Sequence, residues 1–412
     1  MENDNEKAFN ERKKRLIKEG ELLQEKVRKV SDENEEISRK ELMELLKKYD
    51  DYILEFPEEV SGYGNRSIVL ERLELYELAI NDLKKVLSSS DLTLAHLRIA
   101  FILLKVGKMK EGWEHYEWRR MTLGFNDNNF MKISKEIGLP YWNGEKIDRD
   151  NKLFVYQEQG LGDNIQFFRF LLELKKRGIN TSVLYRPELD NLFRYNLERH
   201  GIKIHENGEK LKKEYKYQVL SMSLPNILKI YNLKEIPYKS KYLEVPPKFK
   251  EKWQKKLKKS NKKKVGIFWR SNSKFRNKFR NVSIEKIKDL FEIDAEFHSL
   301  QKELTYDEVN KNFEEEKQNI YFWNDELKDF CDTAALIEQM DLVITVDTAV
   351  AHLAAAMGKP TWIMLTHTSN FRWLLNRKDS PWYDSVRLFR QNKDYLWDNV
   401  ISEIKEELQK II

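Results

Sequence analysis

An acidic residue ends a short glycine-rich turn near the middle of the chain, Gly160-Leu161-Gly162-Asp163. The turn follows the apolar run from Leu153 to Tyr156 and precedes an amphipathic stretch, so it connects a predicted strand to a predicted helix. Asp163 could act there as the general base that takes the proton of a hydroxyl group. It could equally be a helix N-cap, for which Asp is a favoured type. The glycines would let a ligand approach the backbone closely, which makes Gly162 a candidate binding residue.

A second apolar run, Leu342 to Val346, leads through two polar residues into a predicted helix rich in small residues, Ala349 to Met357. In an open α/β sheet, ligands bind beyond the carboxyl ends of the strands, where the N–H groups of a helix N-terminus suit phosphate. The candidate phosphate-binding residues at this corner are Asp347, Thr348, Ala349 and His352. His352 lies one turn after Thr348 and could donate to a phosphate; a structural role is the alternative.

The segment from Trp269 to Asn281 also follows a predicted strand and contains five cations. Charge-assisted hydrogen bonds from such a loop could clamp a diphosphate, although a solvated basic loop is the alternative. Its candidate residues are Arg270, Lys278 and Arg280. After a further predicted strand, Gln301 could read a base edge and Lys302 could reach a phosphate, although a single lysine usually lies at the surface.

Several other chemistries do not fit these patterns. A nicotinamide-binding fingerprint would need a third glycine near Ile165 and an acid at the end of the next strand, and neither is present. The sequence has no P-loop, no zinc-protease motif and no Ser-His-Asp spacing. The one cysteine, Cys331, gives neither a disulfide framework nor a cysteine metal site. No Asp-x-Asp pair follows a predicted strand, so we expect no metal and no cofactor at the site.

Two Rossmann-like domains are predicted to position these residues. The first spans 150–247, with a helix at 164–177 and strands at 153–156, 181–185, 202–204 and 217–220. The second spans 262–392, with strands at 265–269, 297–300, 320–322, 342–346 and 361–365. A C-terminal helix is predicted at 393–412. The lysine-rich stretch from Lys248 to Lys264 is interpreted as a solvated surface helix between the domains rather than as a nucleic-acid-binding segment.

The first part of the chain is predicted to be helical. Residues 1–40 form a charged, helix-favouring lead, and residues 41–145 contain a degenerate repeat. The repeat consists of small or apolar pairs with an apolar or aromatic residue three positions later, at a spacing of about 33 residues: Leu45-Leu46 with Tyr49, Ala79-Ile80 with Leu83, and Gly112-Trp113 with Tyr116. This period is typical of tetratricopeptide repeats, which stack pairs of helices. A plain helical bundle is the alternative.

The composition is that of a soluble globular protein. Hydrophobic residues make up 41% of the 412 residues and charged residues 34%, and no apolar run is long enough to span a bilayer. The N-terminus lacks the apolar core of a signal peptide, so we expect a cytoplasmic protein. A net charge of +6 is mildly basic, which allows an anionic ligand or at most peripheral membrane contact and does not indicate a nucleic-acid partner.

Taken together, the motifs resemble a bacterial family in which tetratricopeptide repeats are fused to a glycosyltransferase domain. That domain is related to ADP-heptose lipopolysaccharide heptosyltransferases and more distantly to O-GlcNAc transferase. The resemblance covers about residues 60 to 410 and rests on the motifs EQGLGD-IQF, WR-N after a strand, SLQKE, DTAALI, D-LVITVDT-VAHLA-A-GKP and WLL-R-DSPWY. It implies an α + α/β fold, with N-terminal helical repeats followed by the two Rossmann-like domains of the GT-B architecture.

The resemblance also implies an active site in the cleft between the two Rossmann-like domains. Asp163 matches the catalytic base of the family. Asp347-Thr348 matches an Asp-Thr-Gly helix start that holds the donor phosphate, with Ala349 in place of the glycine, and His352 matches a histidine one turn later. The phosphate-binding basic residue of the family falls within 274–280.

We therefore expect an inverting, metal-independent glycosyltransferase that moves a sugar from a nucleotide diphosphate donor to a hydroxyl of a glycan or protein acceptor. The acceptor would be a cell-envelope glycan or a protein, and the repeats are a candidate surface for binding it. One alternative is a catalytically inactive scaffold that binds nucleotide sugars. Another is a nucleotide-sugar epimerase, which would need acids and histidines facing the cleft from both halves; His205 and His298 are not obviously placed for this.

Overall fold

The computed structural model describes residues 11–12, 14–15, 18, 38–121, 138–206, 214–271, 280–313 and 319–412. These residues form two compact units, one containing the described residues up to 121 and the other those from 138 onward. Most of the predicted charged lead and the candidate residue Lys278 lie outside the described residues. What the sequence predicts for them stays a prediction.

The first unit is helical. Its helices are α1 (Arg39–Glu55), α2 (Val60–Arg72), α3 (Tyr76–Leu87), α4 (Thr93–Lys105) and α5 (Met109–Tyr116), followed by a 3-10 helix (Glu117–Met121). Each helix from α1 to α5 packs against the next. Ser38 begins α1 with a capping box: its hydroxyl accepts from the Glu41 amide at 3.2 Å, and the Glu41 carboxylate accepts from the Ser38 amide at 2.9 Å. The helices predicted for this part of the chain are confirmed.

The repeat spacing corresponds to equivalent helix positions in two of its three copies. Ala79 and Gly112 are each the fourth residue of their helix, in α3 and α5. A Cβ on Gly112 would lie 2.8 Å from the Leu104 side chain and 3.1 Å from the Leu104 amide nitrogen, so the glycine allows α5 to approach α4 closely. Leu45, in contrast, is the seventh residue of α1. That these helices are tetratricopeptide repeats stays a prediction.

The second unit contains two parallel sheets, and the first of these has the strand order β3-β2-β1-β4. Its strands are β1 (Lys152–Tyr156), β2 (Thr181–Leu184), β3 (Lys203–Ile204) and β4 (Tyr215–Leu220). Its helices are α6 (Leu161–Lys176), α7 (Asp190–Arg199) and α8 (Leu224–Ile227). All five residues of β1 are buried, as expected for a parallel strand covered on both faces. Tyr141 forms a bridge with Gln218 of β4, so the chain around Tyr141 belongs to this sheet.

The second sheet has the strand order β10-β9-β8-β5-β6-β7. Its strands are β5 (Lys264–Phe268), β6 (Glu296–Ser299), β7 (Ile320–Tyr321), β8 (Leu342–Val346), β9 (Thr361–Leu365) and β10 (Val386–Arg390), all parallel. The helices that accompany it are α9 (Pro247–Lys256), α10 (Ile284–Lys288), α11 (Tyr306–Asn312), α12 (Phe330–Glu338), α13 (Ala349–Ala356) and α14 (Asp398–Gln409). A 3-10 helix (Phe371–Trp373) lies between β9 and β10.

These sheets confirm the predicted mixed fold of helices and parallel sheets. Strands β8 and β9 have the predicted bounds, whereas β10 was not predicted because Arg387 and Arg390 interrupt its apolar pattern. The lysine-rich stretch contains α9, whose Trp253 is fully buried and donates from Nε1 to the Asp332 carboxylate of α12 at 2.9 Å. One face of this helix therefore covers α12, and its last helical residue is Lys256 rather than a residue near Lys264.

Candidate active site

Asp163 is the third residue of α6, and both of its carboxylate oxygens accept a hydrogen bond. Oδ2 accepts from the Gly160 amide at 2.9 Å, so Asp163 caps the start of its own helix. Oδ1 accepts from Nη2 of Arg372, which belongs to the 3-10 helix after β9. The Asp163 side chain is 21% exposed. The N-cap of this helix is Gly160 rather than Asp163, which caps from the third helical position and also forms an ion pair that the sequence did not indicate. The role of Asp163 as a base stays a prediction.

Gly162 lies where α6 packs against α13, the helix that follows β8. A Cβ on Gly162 would lie 2.9 Å from Cδ2 of His352 and 3.4 Å from Cα of Ala349. The first distance is shorter than a normal van der Waals contact, so the two helix starts can approach this closely only because residue 162 is glycine. The glycine-rich turn and the Asp347-Thr348 corner, which the sequence singled out separately, are therefore neighbours.

Helix α13 begins with Thr348 as its N-cap, and Thr348 makes no side-chain capping bond. Its hydroxyl donates instead to the Val346 carbonyl oxygen at 3.3 Å. The first-turn amides of α13 therefore have no capping side chain and are directed out of the helix N-terminus. Nη1 of Arg280 lies 3.5 Å from the Asp347 carbonyl oxygen, which brings a cation to the same corner. Together the amides, the helix dipole and the guanidinium suit an anion such as a diphosphate.

His352 is 5% exposed and has partners on two sides. Its Nδ1 lies 2.9 Å from the Tyr383 hydroxyl, and its ring stacks on Trp373 with centroids 5.4 Å apart. Burial is the main cause that lowers the pKa of His352 well below its usual value, and the charges of three arginines act in the same direction: Arg372, Arg169 and Arg280. The imidazole is therefore neutral near pH 7, so it could donate at most one hydrogen bond to a phosphate.

Two arginines that the sequence analysis missed link the halves of the site. Arg169 of α6 donates to the Trp382 carbonyl oxygen at 2.6 Å and to the Tyr242 hydroxyl at 3.1 Å. Arg372 donates from Nε to Oε1 of Gln166 in α6 at 2.6 Å, in addition to its bond with Asp163. Each arginine lies in an otherwise apolar stretch, FFRFLL or FRWLL. That is the signal that could have identified them, because a buried arginine needs a partner.

The residues that follow β5 and β6 form hydrogen bonds with other residues of the protein. Gln301 is fully buried, and its Oε1 accepts from the backbone amides of Trp269 and Arg270 at 3.1 and 2.9 Å. Nη2 of Arg270 donates to the Glu308 carboxylate at 3.1 Å. Lys302 is exposed and donates to the Lys328 carbonyl oxygen at 2.8 Å. The donor-binding roles proposed for Arg270, Gln301 and Lys302 stay predictions.

The positive charge at the candidate site comes, within the described ranges, from arginines and a helix N-terminus. No group of three or more His, Cys, Asp and Glu side chains in those ranges could hold a metal ion. Over the same part of the chain, no helix combines the length and the apolar composition needed to cross a membrane.

The start of α6, which carries Asp163, therefore packs against the uncapped start of α13 in a unit built from two parallel sheets. Residues 328–401 match the model of glycosyltransferase family 9 (heptosyltransferase). The matched segment contains the corner from Asp347 to His352 and also Arg372, whereas Asp163 lies outside it. The match supports the predicted glycosyltransferase and its heptosyltransferase-like domain.

Protein FlbA of Caulobacter vibrioides is 26% identical to this chain over 392 residues, which cover 88% of this chain and 63% of FlbA. The chain thus spans less than two thirds of the length of this relative. A glycosyl transferase family 9 structure from Veillonella parvula is 12% identical, covers 66% of this chain and 92% of its own, and has a TM-score of 0.48. The ADP-heptose lps heptosyltransferase II of E. coli is 13% identical, with coverages of 63% and 98% and a TM-score of 0.43. Both scores are too low to support an argument about activity.

Proposed function

We propose that the chain is an inverting, metal-independent glycosyltransferase that moves a sugar from a nucleotide diphosphate donor to an acceptor hydroxyl. The observation that carries this proposal is the close approach of Gly162 to Ala349 and His352, which brings an acid and an anion-accepting helix start together. A reaction that deprotonates a nucleophile and releases a diphosphate needs those two features side by side.

The proposed reaction is a single displacement at the anomeric carbon of the donor. The acceptor oxygen forms a bond to that carbon as the bond to the diphosphate oxygen breaks, and the configuration inverts. Asp163 takes the proton of the acceptor hydroxyl. The negative charge that develops on the departing diphosphate is stabilised by the first-turn amides of α13 and by Arg280 at the Asp347 carbonyl. These groups would replace the cation that other transferases bind for this purpose.

ADP-heptose is the first donor to test, since solved heptosyltransferases contain ADP-heptose or a fluoro analogue of it: TibC of enterotoxigenic E. coli with ADP-D-beta-D-heptose, and WaaC of E. coli with ADP-2-deoxy-2-fluoro heptose. A donor such as this one would leave a nucleoside diphosphate at the start of α13.

We propose the helical unit as the acceptor-binding part of the chain. A cavity of about 540 Å³ opens among α3, α4 and α5, a size that suits a ligand or a short peptide segment. Among the residues that line it, the rings of His96 and Trp118 are stacked with centroids 3.9 Å apart at an interplanar angle of 3°, and Nδ1 of His115 lies 2.8 Å from Nδ1 of His96. Lys84, Lys108 and Glu111 also line the cavity. Flat rings with charged groups around them suit a peptide of a protein acceptor.

Thermal stabilisation by a panel of nucleotide sugars tests the donor half of this proposal. A ligand at one hundred times its dissociation constant should add about 2.7 kcal/mol to the free energy of unfolding. We expect one nucleotide family to stabilise the chain, and we expect its diphosphate to do so without magnesium. The absence of stabilisation by every nucleotide sugar and every nucleoside diphosphate would contradict the proposal. Stabilisation without any sugar transfer would instead favour the inactive scaffold.

A further inference from the structure

We propose that Arg372 is a positioning residue, which holds the carboxylate of Asp163 in the orientation needed for proton transfer. This inference rests on the proposed function, because it assigns Arg372 to the reaction that Asp163 would catalyse. Arg372 lies after β9 of the second sheet, whereas Asp163 lies at the start of α6 beside the first sheet. The contact thus joins the half that would bind the donor to the half that would carry the base.

Every nitrogen of the Arg372 guanidinium has a partner. Nε donates to Oε1 of Gln166 at 2.6 Å, Nη1 donates to Oδ1 of Asn370 at 2.8 Å, and Nη2 donates to Oδ1 of Asp163. The side chain is only 10% exposed. A planar guanidinium with three directed bonds is fixed in its orientation, which a lysine ammonium would not be. The group that contacts Asp163 is therefore held rigidly from both halves.

The second oxygen of Asp163 is held as well. Oδ2 accepts from the Gly160 amide at 2.9 Å, so one bond from each half fixes the plane of the carboxylate. A carboxylate has about four lone-pair sites, and these two bonds occupy only two of them. Sites thus remain for the proton of an acceptor hydroxyl. Holding a base within a fraction of an ångström matters, because a misplacement of about 1 Å can reduce a rate about 100-fold.

The segment that presents Arg372 is built to keep one conformation. Leu374 has φ 50° and ψ −164°, a backbone conformation that residues other than glycine rarely adopt. Nη2 of Arg390, the last residue of β10, donates to the carbonyl oxygens of Trp373 and Leu374 at 3.3 and 3.1 Å. These bonds attach the strained turn at Leu374 to the end of β10. Trp373 in turn stacks on His352. The same turn therefore contacts the base through Arg372 and the helix at the diphosphate corner through Trp373.

The test is a pair of substitutions measured in two backgrounds. Arg372→Gln in the native chain should lower kcat for release of ADP from ADP-heptose about 10-fold to 100-fold, with the KM for the donor and the affinity for ADP changed less than about twofold. Arg372→Lys should recover only part of the loss, because one ammonium cannot make three directed bonds. In an Asp163→Asn chain, the further change Arg372→Gln should have no effect on kcat, since the residue through which it acts is already disabled.

Arg377→Gln is the matched control, because Arg377 lies five residues away and pairs only with the exposed Asp379 among the residues described. It should keep the native kcat. An Arg372→Gln chain as active as this control would overturn the inference. So would an equal loss in both backgrounds, which indicates a purely structural role, or a rise in donor KM with unchanged kcat, which indicates a donor-binding cation. A native chain that neither binds a nucleotide nor releases one from any donor would instead refute the proposed function, and the role of Arg372 with it.

Discussion

Gly162→Ala tests most sharply whether the two helix starts must touch. The added Cβ would lie 2.9 Å from Cδ2 of His352, about 1 Å closer than two carbon atoms normally approach. His352 cannot easily move away, because Tyr383 contacts its Nδ1 at 2.9 Å and Trp373 stacks on its ring. Helices α6 and α13 must therefore separate by several tenths of an ångström. Overpacking of this kind typically costs about 1–3 kcal/mol.

A gain in helix propensity offsets part of that cost, since alanine is preferred over glycine in a helix by up to about 1 kcal/mol. We expect a net loss of about 1–2 kcal/mol in the free energy of unfolding, measured by urea denaturation. Turnover should fall more than stability suggests, about 10-fold to 100-fold in kcat, because the acid moves away from the diphosphate corner.

Gly64→Ala is the matched control for this substitution. Gly64 lies inside α2, and the nearest atom to its added Cβ would be a Val86 side-chain carbon at 3.8 Å, an ordinary contact. It should leave stability unchanged or raise it. Adding His352→Ala to Gly162→Ala should remove the clash, so that Gly162→Ala costs less in that background than in the native chain. A Gly162→Ala chain with the native unfolding midpoint and native kcat would refute the close-contact argument.

Three other predictions follow from particular contacts. A bare nucleoside diphosphate should bind nearly as tightly as the whole donor, and the free nucleoside far more weakly, because the charge-assisted bonds of about 1.5–3 kcal/mol each go to the phosphates. Calorimetry should give the same affinities in EDTA and in magnesium. A nucleoside that binds as tightly as its diphosphate would show that the anion site is misplaced. Trp118 lines the cavity, so Trp118→Ala should raise the KM for a protein acceptor and leave the affinity for ADP unchanged. Leu94 is 71% exposed, and Leu94→Ala should change neither quantity. Equal kinetics for both variants would contradict acceptor binding in the cavity. Burial lowers the pKa of His298 from about 6.5 to about 4. Between these two pH values the unfolded chain binds a proton at this residue and the folded chain does not. The free energy of unfolding should therefore fall by about 3 kcal/mol as the pH is lowered from about 6.5 to 4. His298→Gln should flatten that part of a curve of unfolding free energy against pH, and an unchanged slope would contradict the assignment.

The second sheet was the part of the fold that the sequence predicted best. β8 and β9 are mostly apolar runs without a charged residue that end at Val346 and Leu365, and all ten of their residues are buried. A run with no charged residue inside it leaves little choice of strand bounds. β10 was missed because two of its five residues are arginines, which lie half-buried between apolar neighbours. Short helices such as α10 and α11 have too few residues for a periodic pattern.

The candidate site was predicted only where its residues lie in local motifs. Asp163 and the Asp347-Thr348 corner each follow an apolar run, so a strand-end rule finds them. Arg372 follows no such rule, and its partner Asp163 is 209 positions away in the chain. No spacing pattern in a single sequence reports a contact across that distance. The function of Gly162 as a contact between helices was missed for the same reason, since His352 and Ala349 lie far along the chain.

The measurement that tests the central claim most directly is release of nucleoside diphosphate from labelled nucleotide sugars in EDTA, with ADP-heptose first in the panel. The native chain and its Asp163→Asn variant are compared at equal saturation with donor. We predict that one donor is consumed at the same rate in EDTA and in magnesium, and that Asp163→Asn lowers this rate by about two to four decades while ADP still binds. A strict requirement for magnesium, or an Asp163→Asn chain as fast as the native one, would contradict the account.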